Sequence, residues 1–309
     1  MFIKLREKFK LSSSTKMFLV LLPCIVFVFF TAYKPLLGLG YAFIEYKPMV
    51  SMWESKFVGL KYFKMLVQNP IQGREFWYSV RNTLVMSAIE FATSFLPIAV
   101  TLFLNEVTTK WYKKLVQTVV TLPHFLSWVI IYACFYNILS PREGLIAILL
   151  NNLGIIEGSF NLLVEAKYGY LLKFLMSNWQ GLGWGTIVYF AALSSVDTEL
   201  YEAADVDGAG RLQKMWYISV PCLMPTYVTM LILSIGTILN AGMDFPLVFG
   251  NAYNRETLTT IDYYVYQFGL TGGKISLGTA VGLAKSAIGL SLMFFANYLS
   301  KKIRGAAIF

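Results

Sequence analysis

Apolar residues in this chain do not alternate with polar ones but run on for roughly 20 positions at a time, the length a membrane-crossing helix needs. Six stretches have this character: Met17–Tyr33, about Thr83–Leu104, Leu115–Leu139, about Phe174–Leu193, about Cys222–Ala241 and about Leu277–Leu299. At 1.5 Å rise per residue, each crosses or nearly crosses about 30 Å of hydrocarbon. Backbone groups left unpaired in lipid cost several kcal/mol each, so a spanning segment is either a helix or part of a closed barrel. Barrel strands alternate over about ten residues, which these runs do not. The pattern predicts an all-α polytopic protein with six transmembrane helices. Gly181, Gly183 and Gly185 in the fourth run allow close helix approach.

Composition agrees. Of 309 residues, 57% are hydrophobic and 14% charged, with a mean hydropathy of +0.59. A soluble chain needs about 25% charged residues to solvate its surface, so much of this exterior faces lipid. The net charge of +9 raises nucleic acid as a partner, but its distribution speaks against one. Lys4, Arg6, Lys8, Lys10 and Lys16 precede the first run, and Lys301, Lys302 and Arg304 follow the last. Such clusters suit an anionic inner leaflet and the positive-inside rule. Both termini are therefore expected in the cytoplasm, as segments 1–16 and 301–309 around a membrane domain at 17–300. The connections 105–114 (Lys110, Lys113, Lys114) and about 194–221 then lie inside as well.

The first run is long for a signal peptide and lacks a small-x-small cleavage pattern, so it reads as a retained helix. Cys24, Cys134 and Cys222 have neither metal nor disulfide spacing and read as small buried hydrophobes. His124, the single histidine, has no ligand set around it and is expected to hydrogen-bond locally near the inner interface. Asn151–Leu163 is expected to form an outer loop and short helix.

The most informative stretch is polar. Ser194–Pro225 reads SSVDTELYEAADVDGAGRLQKMWYISVPCLMP. Asp197 or Thr198 can cap a helix whose positive end suits Glu199 and Glu202. Gly208 can end it in the left-handed conformation. A second amphipathic piece follows over Leu212–Val220, and Pro221 opens the next run. By itself this describes an ordinary interfacial helix.

Its spacing carries more. Glu202-Ala203-Ala204, three residues, Gly208, nine residues, then Ile218-x-Val220-Pro221 resembles the EAA signature of permeases in binding-protein-dependent ABC importers, with Val-Pro for the usual Leu-Pro. Arg81-Asn82-Thr83, Leu104-Asn105-Glu106, LPHFLSWV (Leu122–Val129), GLGWG (Gly181–Gly185), ILNAGMD (Ile238–Asp244), TIDYYVYQFGL (Thr260–Leu270) and TAVGLAKS (Thr279–Ser286) resemble the polysaccharide and complex-oligosaccharide subgroup. The likeness extends over nearly the whole chain. It implies a type I ABC importer permease fold and half of a pathway for ATP-driven uptake of an oligosaccharide or polysaccharide. It also implies that Glu202, Ala203, Ala204, Asp207 and Gly208 form a coupling helix docked on an ATPase, with Glu202 meeting a basic group and Gly208 shaping the turn.

The implied partners are a second homologous permease, two ATP-binding subunits or a homodimer of one, an extracytoplasmic solute-binding protein, the carbohydrate and membrane lipid. No cofactor is expected in this chain, and no enzymatic activity. ATP and Mg would belong to the partner ATPase, since GLTGGKI at Gly269–Ile275 has the wrong spacing for a phosphate loop.

Glu90 and Lys285 are costly inside spans, at about 2.5–3.5 kcal/mol each, and are expected to pair or to line the passage. Sugar recognition calls for aromatic faces and planar hydrogen-bond partners within a cavity. Trp179, Trp184, Asn240, Asp244, Tyr263 and Tyr266 are the candidates, with Tyr264 beside them; packing or interface anchoring is the plainer role for the aromatics. An ion-driven secondary transporter of a polar solute is the main rival. It would need its own ion site and favours inverted repeats, and no repeat is evident. A membrane enzyme would need a catalytic cluster near an interface. An orphan structural protein would not need the patterned loop.

Overall fold

The structure, a computed structural model, describes residues 12–140, 144–154 and 162–304. Lys4, Arg6, Lys8, Lys10 and part of the Asn151–Leu163 stretch lie outside the described residues, as does most of segments 1–16 and 301–309.

Helix α1 (Ser13–Val28) starts where the Ser12 hydroxyl accepts the Thr15 amide at 3.2 Å. It continues through a π turn (Phe29–Tyr33) and a 3-10 stretch (Lys34–Phe43) as one apolar path over Ser13–Phe43. No residue of α1 is buried. In water that exposure would cost about 25 cal/mol per Å² of apolar surface. Against lipid tails the penalty disappears.

After a short helix, α2 (Lys61–Gln68), helices α3 (Pro70–Ala92) and α4 (Leu96–Asn105) make the second span. The third expected span is not one rod. Helices α5 (Lys110–Thr121) and α6 (Trp128–Leu139) meet at 106°. Pro123 has no amide proton to continue a ladder, the turn tightens to 3-10 over Leu122–Phe125, and the Ser127 hydroxyl caps α6. The Gln180 amide donates to the Leu126 carbonyl at 3.0 Å, satisfying a backbone group at the break.

Helix α7 (Leu145–Asn152) is short, and α8 (Gly169–Ser194) has 26 residues, beginning five residues before the expected run. Among the described residues, four helical segments are long and apolar enough to cross a membrane, and five if the bent pair counts as one. Helix α8 is long enough, but Lys173, Ser177, Asn178 and Gln180 dilute its apolar character. Helices α9 (Thr198–Val206) and α10 (Arg211–Lys214) lead through a π turn (Met215–Ser219) into α11 (Val220–Gly236). Short helices α12 (Asp244–Phe249), α13 (Arg255–Leu258) and α14 (Ile261–Tyr264) precede the 30-residue α15 (Ile275–Arg304). Gly269–Ile275 forms the turn into α15, where Gly269 packs on Gly278.

Packing defines the two ends. At one end Leu102, Leu193, Met215 and Leu223 share a core, which brings the connections near 105–114 and 194–221 together as expected. At the other, Ile131, Leu172, Phe245, Phe249 and Leu258 cluster, beside a second group around Leu66, Tyr264 and Leu277. The glycines of α8 divide by role. A Cβ on Gly183 would stand 2.2 Å from the Val120 carbonyl oxygen, so α5 and α8 touch backbone to backbone there. Gly185 meets the Pro97 ring, whereas Gly181 faces open space.

Two smaller expectations are corrected. Cys24, Cys134 and Cys222 are exposed on the single chain and not buried, on apolar surfaces where a thiol is tolerated. His124 stacks on Trp184, about halfway along α8, with ring centroids 4.4 Å apart, and does not sit at an end of the helices.

Candidate functional site

The polar loop folds as a discrete, locally determined unit. The Asp197 carboxylate accepts the Glu199 amide at 3.0 Å, which starts α9. At the other end the Gly208 amide donates to the Asp205 carbonyl (3.1 Å) and the Ala209 amide to the Ala204 carbonyl (2.8 Å). With Gly208 at φ +75°, this is a complete Schellman ending. Lys214 pairs with Asp205 at 2.6 Å, and the Tyr201 and Ser219 hydroxyls bond at 2.8 Å, tying α9 back to the start of α11.

No residue of α9 is buried. Glu202, Ala203, Asp207 and Gly208 are exposed and Ala204 half-buried. Among the described residues the Glu202 carboxylate has no hydrogen-bond or ion-pair partner. A helix this well capped, with nothing packed on its outer face, is built to present that face.

The candidate passage residues separate into several places. Glu90 does not pair with Lys285. Its carboxylate meets Lys173 of α8 at 2.9 Å, while Lys285 bonds Asp262 of α14. The expectation failed because similar depth in a span does not fix which helix faces which. Asp262 is itself held: its second oxygen accepts the Gly242 amide at 3.0 Å.

Glu90 and Asn240 line one cleft of about 350 Å³ between α3, α4, α8 and α11, walled by Tyr189 and Tyr227. Glu90 also lines a second cleft of about 350 Å³, with Lys173, His124, Trp128, Ser177 and Asn178. Trp184 approaches the second cleft through its stack on His124. Trp179 packs edge-on against Phe135, with centroids 5.1 Å apart. Asp244 lies exposed in the first turn of α12. Tyr263 and Tyr266 stack on each other at 6.4 Å, and Tyr263 lines a separate pocket with Asn251 and Gln267. Tyr264 is wholly buried between Phe76 and Phe268, so it is a packing residue and not a substrate contact. Burial pushes its phenol pKa up to about 12.

Lys173 is the residue sequence reasoning missed. The expected fourth run began at Phe174, one residue too late to count the charge. The signal available was the helical register itself, since Lys173, Ser177 and Gln180 recur on one side of α8.

The architecture also explains the Arg81-Asn82-Thr83 stretch. The buried Asn82 amide donates to the Glu256 and Thr259 carbonyls, both at 2.9 Å, and its oxygen accepts from Tyr170 at 2.7 Å. The Thr83 hydroxyl accepts the Ile261 amide at 2.9 Å. Together they fasten α3 to the connection before α15.

An apolar helical bundle with polar clefts between its rods and an exposed, doubly capped helix at one end has the form of a membrane permease subunit. Comparison with known proteins gives the family. The chain belongs to the binding-protein-dependent transport system inner membrane components, whose family model matches residues 94–305. It is 40% identical to the polygalacturonan/rhamnogalacturonan transport system permease protein YteP of Bacillus subtilis (strain 168), over 97% of this chain and 92% of that protein. It is 38% identical to the protein LplB of the same organism, over 95% and 91%.

Among solved structures, it superposes on a chain of a bacterial alginate ABC transporter crystallised with an alginate pentasaccharide-bound periplasmic protein. The TM-score is 0.83 at 32% identity, covering 94% of this chain and 96% of that one. The chain is a multi-pass membrane permease of the ABC importer type, with the type I fold expected from the sequence.

Proposed function

We propose that this chain forms half of the passage for ATP-driven uptake of an oligosaccharide or polysaccharide. A second, similar permease supplies the other half, separate ATPase subunits bind ATP and Mg, and an extracytoplasmic binding protein delivers the sugar. The observation that carries the reading is α9. It combines the EAA-like spacing with a geometry that leaves Glu202, Ala203 and Asp207 free to dock. The permease YteP and the alginate transporter, both named for polysaccharides, support carbohydrate as the cargo. In this reading both termini and α9 lie in the cytoplasm. The clefts at Glu90 and Asn240 belong to the passage, while Asp244, Tyr263 and Tyr266 lie toward the donor side.

Glu202→Lys tests the docking contact. The variant should insert at normal levels, because Glu202 holds nothing within the chain. It should lose ATPase co-purification and reduce uptake at least about tenfold, since reversing a charge in an interface pair costs several kcal/mol. Normal ATPase association together with normal uptake would remove Glu202 from the interface.

A further inference from the structure

The ion pair between α3 and α8 is lopsided. The Lys173 side chain is 7% exposed, whereas its partner Glu90 is 51% exposed and borders both clefts. The ammonium is enclosed by protein, where leaving it without a carboxylate would be costly, whereas the carboxylate that pairs it reaches into both clefts. The other surroundings of the Lys173 ammonium include ring faces, Phe245 at 5.3 Å and Trp128 at 5.9 Å from their centroids. These stabilise a cation without offering an oxygen in place of Glu90.

One helical turn along α8, the buried Ser177 hydroxyl lacks a hydrogen-bond partner among the described residues, and it lines the same cleft. Residues four apart on a helix share a face, so the Lys173 and Ser177 side chains present an ammonium and a hydroxyl to the same cleft. Trp128 and His124 add flat walls, and the cleft volume falls in the range of about 300–1,000 Å³ typical of small-ligand sites.

We infer that Lys173 is a carboxylate-recognising subsite of the passage, occupied at rest by Glu90, and that the glycan it passes carries uronic acid units. The inference rests on the carbohydrate reading above and narrows it. A uronate carboxylate exchanges with Glu90 at the ammonium, so the buried cation is paired before and during passage and is never left bare. A neutral sugar can make no such exchange. It leaves Lys173 closed on Glu90 and uses only the aromatic walls and Ser177.

The test uses the complete transporter in nanodiscs without its binding protein, so that donor selectivity does not intervene. Binding of trigalacturonate and of its neutral methyl ester is followed by tryptophan fluorescence. Wild type should prefer the acid several-fold. Glu90→Gln removes the internal competitor and should widen the preference to about 10- to 100-fold, the range of a charge-assisted hydrogen bond. Lys173→Met should abolish the preference while binding of the ester persists, and Lys173→Arg should keep most of it.

Equal binding of acid and ester by wild type, or the same preference in Lys173→Met as in wild type, overturns the inference. Membrane level and ATPase association of each variant, measured alongside, show whether the helices still pack. The broader reading fails separately, if ATP-fuelled vesicles carrying the wild-type transporter and its binding protein accumulate neither acidic nor neutral oligosaccharides.

Discussion

Replacing Gly208 with valine separates the shape of the docking helix from its chemistry. Gly208 sits at φ +75°, where an L residue costs about 1–2 kcal/mol and a β-branched one more. A Cβ there would meet nothing within 4 Å, so the effect is one of backbone conformation and not of collision. Few restraints oppose it. The Asp197 cap contributes about 1 kcal/mol. The Tyr201–Ser219 hydrogen bond adds about 1 kcal/mol. The Asp205–Lys214 pair, with its aspartate largely exposed, adds at most about 1 kcal/mol.

No burial supplements these terms, because α9 has no buried residue, and a nine-residue helix is marginal alone. A loss of 1–2 kcal/mol is thus of the same order as everything that holds the last turn. It shifts that turn toward the frayed state by about 5- to 30-fold. Amide exchange over residues 203–209 should accelerate accordingly. ATPase association and uptake should fall with it, at unchanged membrane level. Gly208→Asn, which tolerates the left-handed region, should stay near wild type. Wild-type exchange and uptake in Gly208→Val would show that the Schellman ending is not needed to present Glu202.

Three further outcomes follow from the observed polar partners. Asn82→Leu strips the buried Thr259 carbonyl and the Tyr170 hydroxyl of their partner, at about 1–3 kcal/mol each; an unchanged thermal midpoint of the purified transporter would refute this accounting. Lys285→Met leaves Asp262 with the Gly242 amide but no cation, so Lys285→Met/Asp262→Asn should be more stable than the sum of the single changes by about 0.5–3 kcal/mol. Glu90→Gln with Lys285→Met should be additive, and coupling between those two would contradict the observed partners.

How much of this was legible depended on whether the determinant was local. The docking helix was legible at both ends, since a cap at Asp197 and a left-handed glycine at 208 act within a few residues of themselves. The helical class and the grouping of the connections at one end followed from run length and basic residues. The break at Leu126–Ser127 was not legible. Pro123 marks an irregular point, but the Leu126 carbonyl freed at the 106° bend is satisfied only by a donor on another helix, the Gln180 side-chain amide. Charge partners were hidden for the same reason. Glu90 and Lys285 were matched on opposite charge and expected depth, yet α8 and α14 each bring a closer charge, and the Thr83 hydroxyl and Gly242 amide help hold Ile261 and Asp262 in place beside Lys285.

The two parts of the site share one structural element. Helix α8 spans about 39 Å from Gly169 to Ser194, given 26 residues at 1.5 Å each. Its C-terminal end runs into α9 through residues 195–197. Its middle meets α5 backbone to backbone at Gly183 and α4 at Pro97 through Gly185. Its N-terminal half carries Ser177 and Lys173 into the cleft. Between α9 and the Lys173–Glu90 pair stand only the short turn 195–197 and one continuous helix, α8. The bend between α5 and α6 lies beside that rod, at Leu126, where Gln180 of α8 holds it. The polar residues of α8 thus serve two places at once: Lys173, Ser177 and Gln180 line the cleft, and Gln180 also holds the break.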